Sequence, residues 1–148
     1  MKADLPAKEI YTVSLEELLE SEGVHFVKKG LADFNRQKSG VGDSKELFVF
    51  LRDRQEKIVG GLLGFTFGEW LRIQTLWVAE NVQGSGYGSW LLLEAEIEAL
   101  KRGCRIADLQ TFGFQAPEFY RKNGYEMFGE LKNAVGSESI YFFRKKLS

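Results

Sequence analysis

From residue 83 the chain reads Gln83-Gly84-Ser85-Gly86-Tyr87-Gly88-Ser89. Alternating glycines let a backbone turn through left-handed conformations and present its amides at the start of a helix, where N–H groups and the helix dipole attract phosphate. The chemistry suggested is pyrophosphate binding. Several nucleotide-binding folds use this device, so the surroundings must choose among them. A Walker loop is excluded, because Gly88 is followed by Ser89 and Trp90 where Lys and Ser or Thr are required. A dinucleotide fingerprint fits in part: Gly84 and Gly86 match, Ser89 is a small third residue, and Asp108 stands about 20 residues on. Against it, Ala79 to Gln83 separate the loop from the preceding strand, and hairpin-linked strands rather than parallel βαβ units come before it.

Other reactive residues are few. One cysteine, Cys104, cannot form an internal disulfide, and with one histidine, His25, it leaves too few soft ligands for a zinc cluster, so no metal is expected. Cys104 stands where a helix hands over to a strand, the place of a buried structural thiol rather than a nucleophile, and His25 sits among apolar residues of the first helix. Twenty basic against 21 acidic residues, net charge -1, give no field for a polyanion, which argues against nucleic acid. The longest apolar stretches, Leu47 to Leu51 and Trp90 to Leu93, fall far short of the roughly 20 residues of a membrane span. Met1 to Pro6 lacks a signal-peptide core, and the expectation is a cytoplasmic protein with one domain over residues 1–148.

The elements that must position the loop follow from periodicity. Ile10 to Val13 reads as a short strand, and Ser14 with Glu17 has capping-box spacing for a helical region running, with a break at Gly23, to about Gln37. Leu47 to Leu51, Ile58 to Phe67 and Trp70 to Ala79 are β-rich segments joined by turns short enough for antiparallel hairpins. Tyr87 to Arg102 is the clearest helix, with Trp90, Leu93, Ile97 and Leu100 as its apolar face and Gly103 as its left-handed stop. Arg105 to Thr111 is a strand, Pro117 to Asn123 a short helix stopped by Gly124, and Tyr125 to Leu131 and Ile140 to Arg144 close the set. This order predicts an α+β fold, a mixed and largely antiparallel sheet with helices on both faces.

With those elements in place, the chain resembles the Gcn5-related N-acetyltransferase (GNAT) superfamily. Gln83, Gly86 and Gly88 match its Gln/Arg-x-x-Gly-x-Gly/Ala loop; Leu76-Trp77-Val78 is similar to the strand end that precedes it. Ala116 to Tyr125, with Phe119-Tyr120 ahead of Gly124-Tyr125, is similar to its Phe-Tyr-x-x-x-Gly-Phe/Tyr signature. The chain departs from the family at Phe114-Gln115, where many members have an Asn. The resemblance implies a sheet splayed between the strands ending near Val78 and Thr111. It implies acetyl-CoA as co-substrate, held by Leu76, Trp77, Val78, Gln83, Gly84, Ser85, Gly86, Tyr87, Gly88 and Ser89, with the Trp77 or Val78 N–H on the thioester carbonyl.

It further implies direct attack by an amine without an acyl-enzyme, and Tyr120 as the acid that protonates the departing thiolate. The acceptor would be a small-molecule or peptide amine, entering opposite the cofactor. Glu69, Arg72 and Gln74 lie near where family members place the groups that take its proton, and Asp33, Asn35 and Glu69 could offer it polar contacts. A non-catalytic acyl-CoA-binding module on the same fold is the alternative, and a homodimer is left open.

Overall fold

The computed structural model describes residues 11–113 and 115–148. It divides into two units, Met1–Ser39 and Gly40–Ser148, taken in turn here.

The described part of the first unit holds one helix, α1 (Glu22–Ser39). Its cap is Ser21, whose Oγ accepts the Val24 N–H at 3.2 Å. Ser14 instead donates to Glu16, so the capping box expected at Ser14 does not start a helix, and residues 11–18 have no regular structure. Gly23 is accommodated in the first turn rather than breaking the helix. Of the strand expected from Ile10 to Val13, Ile10 lies outside the described residues and 11–13 are not paired. His25 is exposed and faces Glu20 at 3.2 Å.

The second unit is a six-stranded sheet, β1 (Lys45–Arg52), β2 (Ile58–Phe67), β3 (Trp70–Val78), β4 (Ile106–Phe112), β5 (Glu126–Val135) and β6 (Glu138–Lys146), in the order β1-β2-β3-β4-β6-β5. Every neighbouring pair is antiparallel except β3 with β4. Asp53 closes the first hairpin by accepting the Gln55 and Lys57 N–H groups at 2.8 and 3.0 Å. The helices α2 (Tyr87–Lys101) and α3 (Pro117–Lys122) follow β3 and β4, and both stop at glycines in the left-handed region, Gly103 and Gly124.

The expected apolar face of α2 is not the one that packs. Leu91, Leu92, Ala95 and Ala99 are buried against Leu47, Leu62, Leu71 and Leu109, whereas Trp90, Leu93, Ile97 and Leu100 are half-exposed. Both stripes have helical spacing, and size separates them: the alanines let the helix axis come close to a sheet that is itself glycine-rich at Gly60 and Gly64. Glu96 is carried inward with the buried stripe and is satisfied there, accepting from the Tyr125 hydroxyl at 2.9 Å and the Lys145 ammonium at 2.8 Å. Arg102 ties the end of α2 to the outer hairpin through the Glu46 carbonyl and the Thr66 hydroxyl.

Candidate active site

Two departures from regular pairing open the middle of the sheet. First, β3 pairs with β4 only at Trp70–Ile106, Leu71–Ala107 and Arg72–Asp108, and from Ile73 onward the two strands have no register. Asp108 locks the last rung, accepting Arg72 Nη1 at 2.6 Å and Trp70 Nε1 at 2.5 Å. Second, Leu63 stands opposite Thr75 while Gly64 stands opposite Ile73, leaving Gln74 as the extra residue of a bulge. Gly64 is what this geometry requires, because a Cβ there would overlap the Arg72 carbonyl.

The bulge re-aims the strand end. Leu76 and Val78 line a cavity of about 430 Å³ on the α2 side, while Thr75 and Trp77 line a separate slot. Ala79 donates its N–H to the Val59 carbonyl at 2.8 Å, and Gly61 is opposite Trp77. The alternation of an antiparallel ladder therefore turns the Trp77 N–H towards β2 and the N–H groups of Leu76 and Val78 away from it, into the splay. Trp77, expected among the cofactor residues, lies outside the cavity in both its side chain and its N–H. The Val78 carbonyl, also on the splay side, accepts the Gln83 side-chain amide at 2.9 Å.

Gln83, Gly84, Gly86, Tyr87, Gly88 and Ser89 complete the rim of that cavity, with Val82, Phe119 and Tyr120. Gly84 and Gly86 sit at φ 80° and 86°, which only glycine adopts freely. Gly86 is the N-cap of α2 without a side-chain cap, and the first intrahelical bond there runs from Trp90 N–H to Gly86 O. The N–H groups of Tyr87, Gly88 and Ser89 thus have no intrahelical partner and stand where an anion would meet them. Gly88 leaves room for Phe119, whose ring would be 3.3 Å from a Cβ there. Ser85 is not among the lining residues. Val82 and Phe119 were missed because their contribution is hydrophobic wall, which leaves no motif. The cradle of unpaired amides and left-handed glycines, continued by a channel towards the splay, fits a pyrophosphate with an extended tail, as in an acyl-CoA.

Tyr120 joins this cavity to the splay. It borders both the cavity and a cleft of about 210 Å³ lined by Ile73, Gln74, Thr75, Leu76, Leu109, Gln110 and Gln115. Its ring packs edge-on against Phe119 and Tyr125 and tilted against Phe143. Burial pushes the phenol up to about 12, so the hydroxyl is protonated at any working pH. Gln115 is held by the Thr111 hydroxyl and the Phe112 N–H, both at 3.0 Å from its Oε1. Phe114 lies outside the described residues.

Other expected residues are elsewhere. Glu69 is exposed in the β2–β3 turn facing Arg105, at the paired end of β3 rather than the splayed end. Arg72 and Asp108 are committed to each other, which also removes Asp108 as a ribose ligand. Cys104 is buried, with burial raising its thiol above the usual range. Asp33 is engaged by Lys29 and Arg36 on α1, and Asn35 lies on the same helix.

The model of the acetyltransferase (GNAT) domain family matches residues 43–127. An acetyltransferase of Agrobacterium fabrum is 31% identical over 132 residues, 89% of this chain and 96% of that one. Blasticidin-S acetyltransferase of Streptomyces morookaense is 39% identical over 92 residues, 62% of this chain and 68% of its own. The crystal structure of an acetyltransferase from Bacillus cereus superposes with a TM-score of 0.78 at 34% identity, covering 90% of this chain and 97% of that one.

Proposed function

The chain belongs to the GNAT acetyltransferase family and transfers an acetyl group from acetyl-CoA to an amine; we propose how its residues divide that work and that the acceptor is a small molecule. The observation that carries the reading is that the amide-rimmed cavity and the splay cleft meet at Tyr120. Bound acetyl-CoA supplies an activated thioester. The N–H groups of Tyr87, Gly88 and Ser89 hold the pyrophosphate, Gln83 keeps their loop against Val78, and Leu76 and Val78 guide the thioester into the splay.

There the Val78 or Leu76 N–H binds the carbonyl oxygen as the amine nitrogen attacks the carbonyl carbon. A preorganised donor of this kind is worth roughly 3 kcal/mol in the transition state. The amine attacks in its neutral form; the C–N bond forms as the C–S bond breaks, the nitrogen then gives a second proton to water, and Tyr120 gives its proton to the departing sulfur and is reprotonated from solvent. Generating that neutral amine from an ammonium of pKa about 10.4 costs about 4 to 5 kcal/mol at pH 7, so the rate should follow the acceptor's own pKa. That the acceptor is a small molecule is supported by the similarity to blasticidin-S acetyltransferase. A screen of amines for thiol release from acetyl-CoA, with the acetylated product identified by mass spectrometry, tests the reading; silence across amines by a protein that binds acetyl-CoA would leave only a binding module.

A further inference from the structure

The last rung before the splay is one step of a longer row, all of it within the second unit. Arg72 is opposite Asp108, Asp108 is opposite Arg144, and Arg144 is opposite Glu126, so one register line crosses β3, β4, β6 and β5 with charges alternating in sign. Residues directly opposite share a face of the sheet, and opposite charges so placed attract. The row is bonded at both ends: Arg72 Nη1 donates to Asp108 Oδ2 at 2.6 Å, and Arg144 Nε to Glu126 Oε1 at 2.9 Å. Trp70, two residues back on β3 and so on the same face, donates its Nε1–H to Asp108 Oδ1 at 2.5 Å. Asp108 thus ties two residues of β3 to β4 and stands opposite a second arginine.

Past Arg72 and Asp108 no further rung joins β3 to β4, so the angle of the splay is set at this root. Arg72 is gripped from its other side as well, where Gly64 brings β2 so close that a Cβ would overlap the Arg72 carbonyl. From Arg72 to Val78 a strand spans about 20 Å, at about 3.3 Å per residue. A tilt of a few degrees at the root therefore moves the tip by about 1 Å, and a misplacement of that size can cost about 10²-fold in rate. We propose that Asp108 is a positioning residue for acetyl transfer: by holding Trp70 and Arg72 at the root, it sets the angle at which the β3 arm presents the thioester to the amine. This rests on the reading of the splay as the reaction site. It requires no contact between Asp108 and either substrate, in keeping with its absence from the lining of both the cavity and the cleft.

The test uses hydroxylamine, an amine that is neutral near neutral pH and too small to need a pocket of its own, so that its rate reports how the thioester is placed. Acetohydroxamate formation at saturating acetyl-CoA is measured beside the calorimetric Kd for acetyl-CoA, in the parent, Asp108→Asn, Arg72→Met, their double variant and Arg72→Lys, each shown to be folded at the assay temperature. An Asn at 108 that accepts from Trp70 turns its own amide N–H groups towards Arg72, donor against donor. Asp108→Asn and Arg72→Met should each slow the reaction about 10- to 100-fold, with Kd within about threefold of the parent. Because the two side chains act as one pair, the double variant should be no more than about threefold slower than the slower single one. Arg72→Lys, which keeps the charge, should regain most of the rate that Arg72→Met loses. If Asp108→Asn does not fold, Arg72→Met and Arg72→Lys carry the same comparison. Rates within about threefold of the parent in the folded variants, or a loss of affinity as large as the loss of rate, overturn the positioning role and leave acetyl transfer standing. A parent that binds acetyl-CoA without acetylating hydroxylamine would instead overturn the reading of the splay as the reaction site, and the positioning role with it.

Discussion

The side-chain amide of Gln83 donates to the carbonyl of Val78 at 2.9 Å, so the glycine loop is fastened to the strand end that borders the splay. The bond spans the stretch that argued against a dinucleotide fold, and it gives that stretch a purpose: the glycine loop and the end of β3 are held in one frame. Gln83→Ala should raise the Kd for acetyl-CoA about 2- to 10-fold, the worth of one hydrogen bond, with little change in Tm. Calorimetric titration checks this, and unchanged affinity would mean the loop keeps its shape without Gln83.

Tyr120→Phe removes a hydroxyl and keeps the ring among Phe119, Tyr125 and Phe143. If Tyr120 is the general acid, kcat falls by about 10² to 10⁴ while acetyl-CoA affinity stays within a few fold. Its pKa of about 12 also forbids a loss of activity from its titration between pH 7 and 10. Single-turnover measurements should give a chemical step slowed over the whole of that range; a rate within threefold of the parent's removes Tyr120 from the chemistry.

Gly64→Ala tests the bulge. The added Cβ would overlap the Arg72 carbonyl, so β2 and β3 must separate or the bulge must be lost. Overpacking of this kind costs about 1 to 3 kcal/mol, and because the bulge aims Leu76 and Val78, activity should drop further than stability alone explains. Urea unfolding and kcat measured together decide it, and a variant matching the parent in both would show that the rung is not tight.

Two tyrosines predict the alkaline limit of stability. Burial raises Tyr120 to about 12, and burial together with the Glu96 carboxylate raises Tyr125 further. Folded-state pKa values above the unfolded value near 10 mean that the stabilisation is complete below pH 10 and is lost as pH rises through the folded values. For Tyr120 alone the loss is roughly 2 kcal/mol by pH 12. Unfolding free energies should be flat from pH 7 to 10 and then decline, and less steeply in Tyr120→Phe; a decline beginning below pH 9 would point to another group.

The parts of the site that the sequence disclosed are those that depend on main chain or on special residues. Gly84 and Gly86 announce left-handed backbone, and Pro117 and Gly124 bracket α3. Side-chain direction was harder. Trp77 looked like part of the cofactor wall because it lies between Leu76 and Val78, yet the bulge at Gln74 sends it to the opposite face, and no periodicity in the chain announces an inserted residue. The buried face of α2 was misassigned for a related reason: Trp90, Leu93, Ile97 and Leu100 are the larger residues, but close packing selected Ala95 and Ala99. Glu69 was drawn in by its place in a hairpin turn, and only strand pairing shows which end of β3 opens.

The most direct test is calorimetric titration of acetyl-CoA into the parent protein and Gly86→Val. Gly86 caps α2 at φ 86° with no atom within 4 Å of a would-be Cβ, so the substitution acts on the backbone conformation that aims the amides and on the space the phosphates need, not on the core. The parent should bind with a micromolar Kd, and at about 100 times that concentration the ligand should stabilise the fold by about 2.7 kcal/mol. A folded Gly86→Val protein should bind at least about tenfold more weakly and lose about half or more of that stabilisation. Equal affinity in a folded Gly86→Val protein would contradict the placement of acetyl-CoA on this loop.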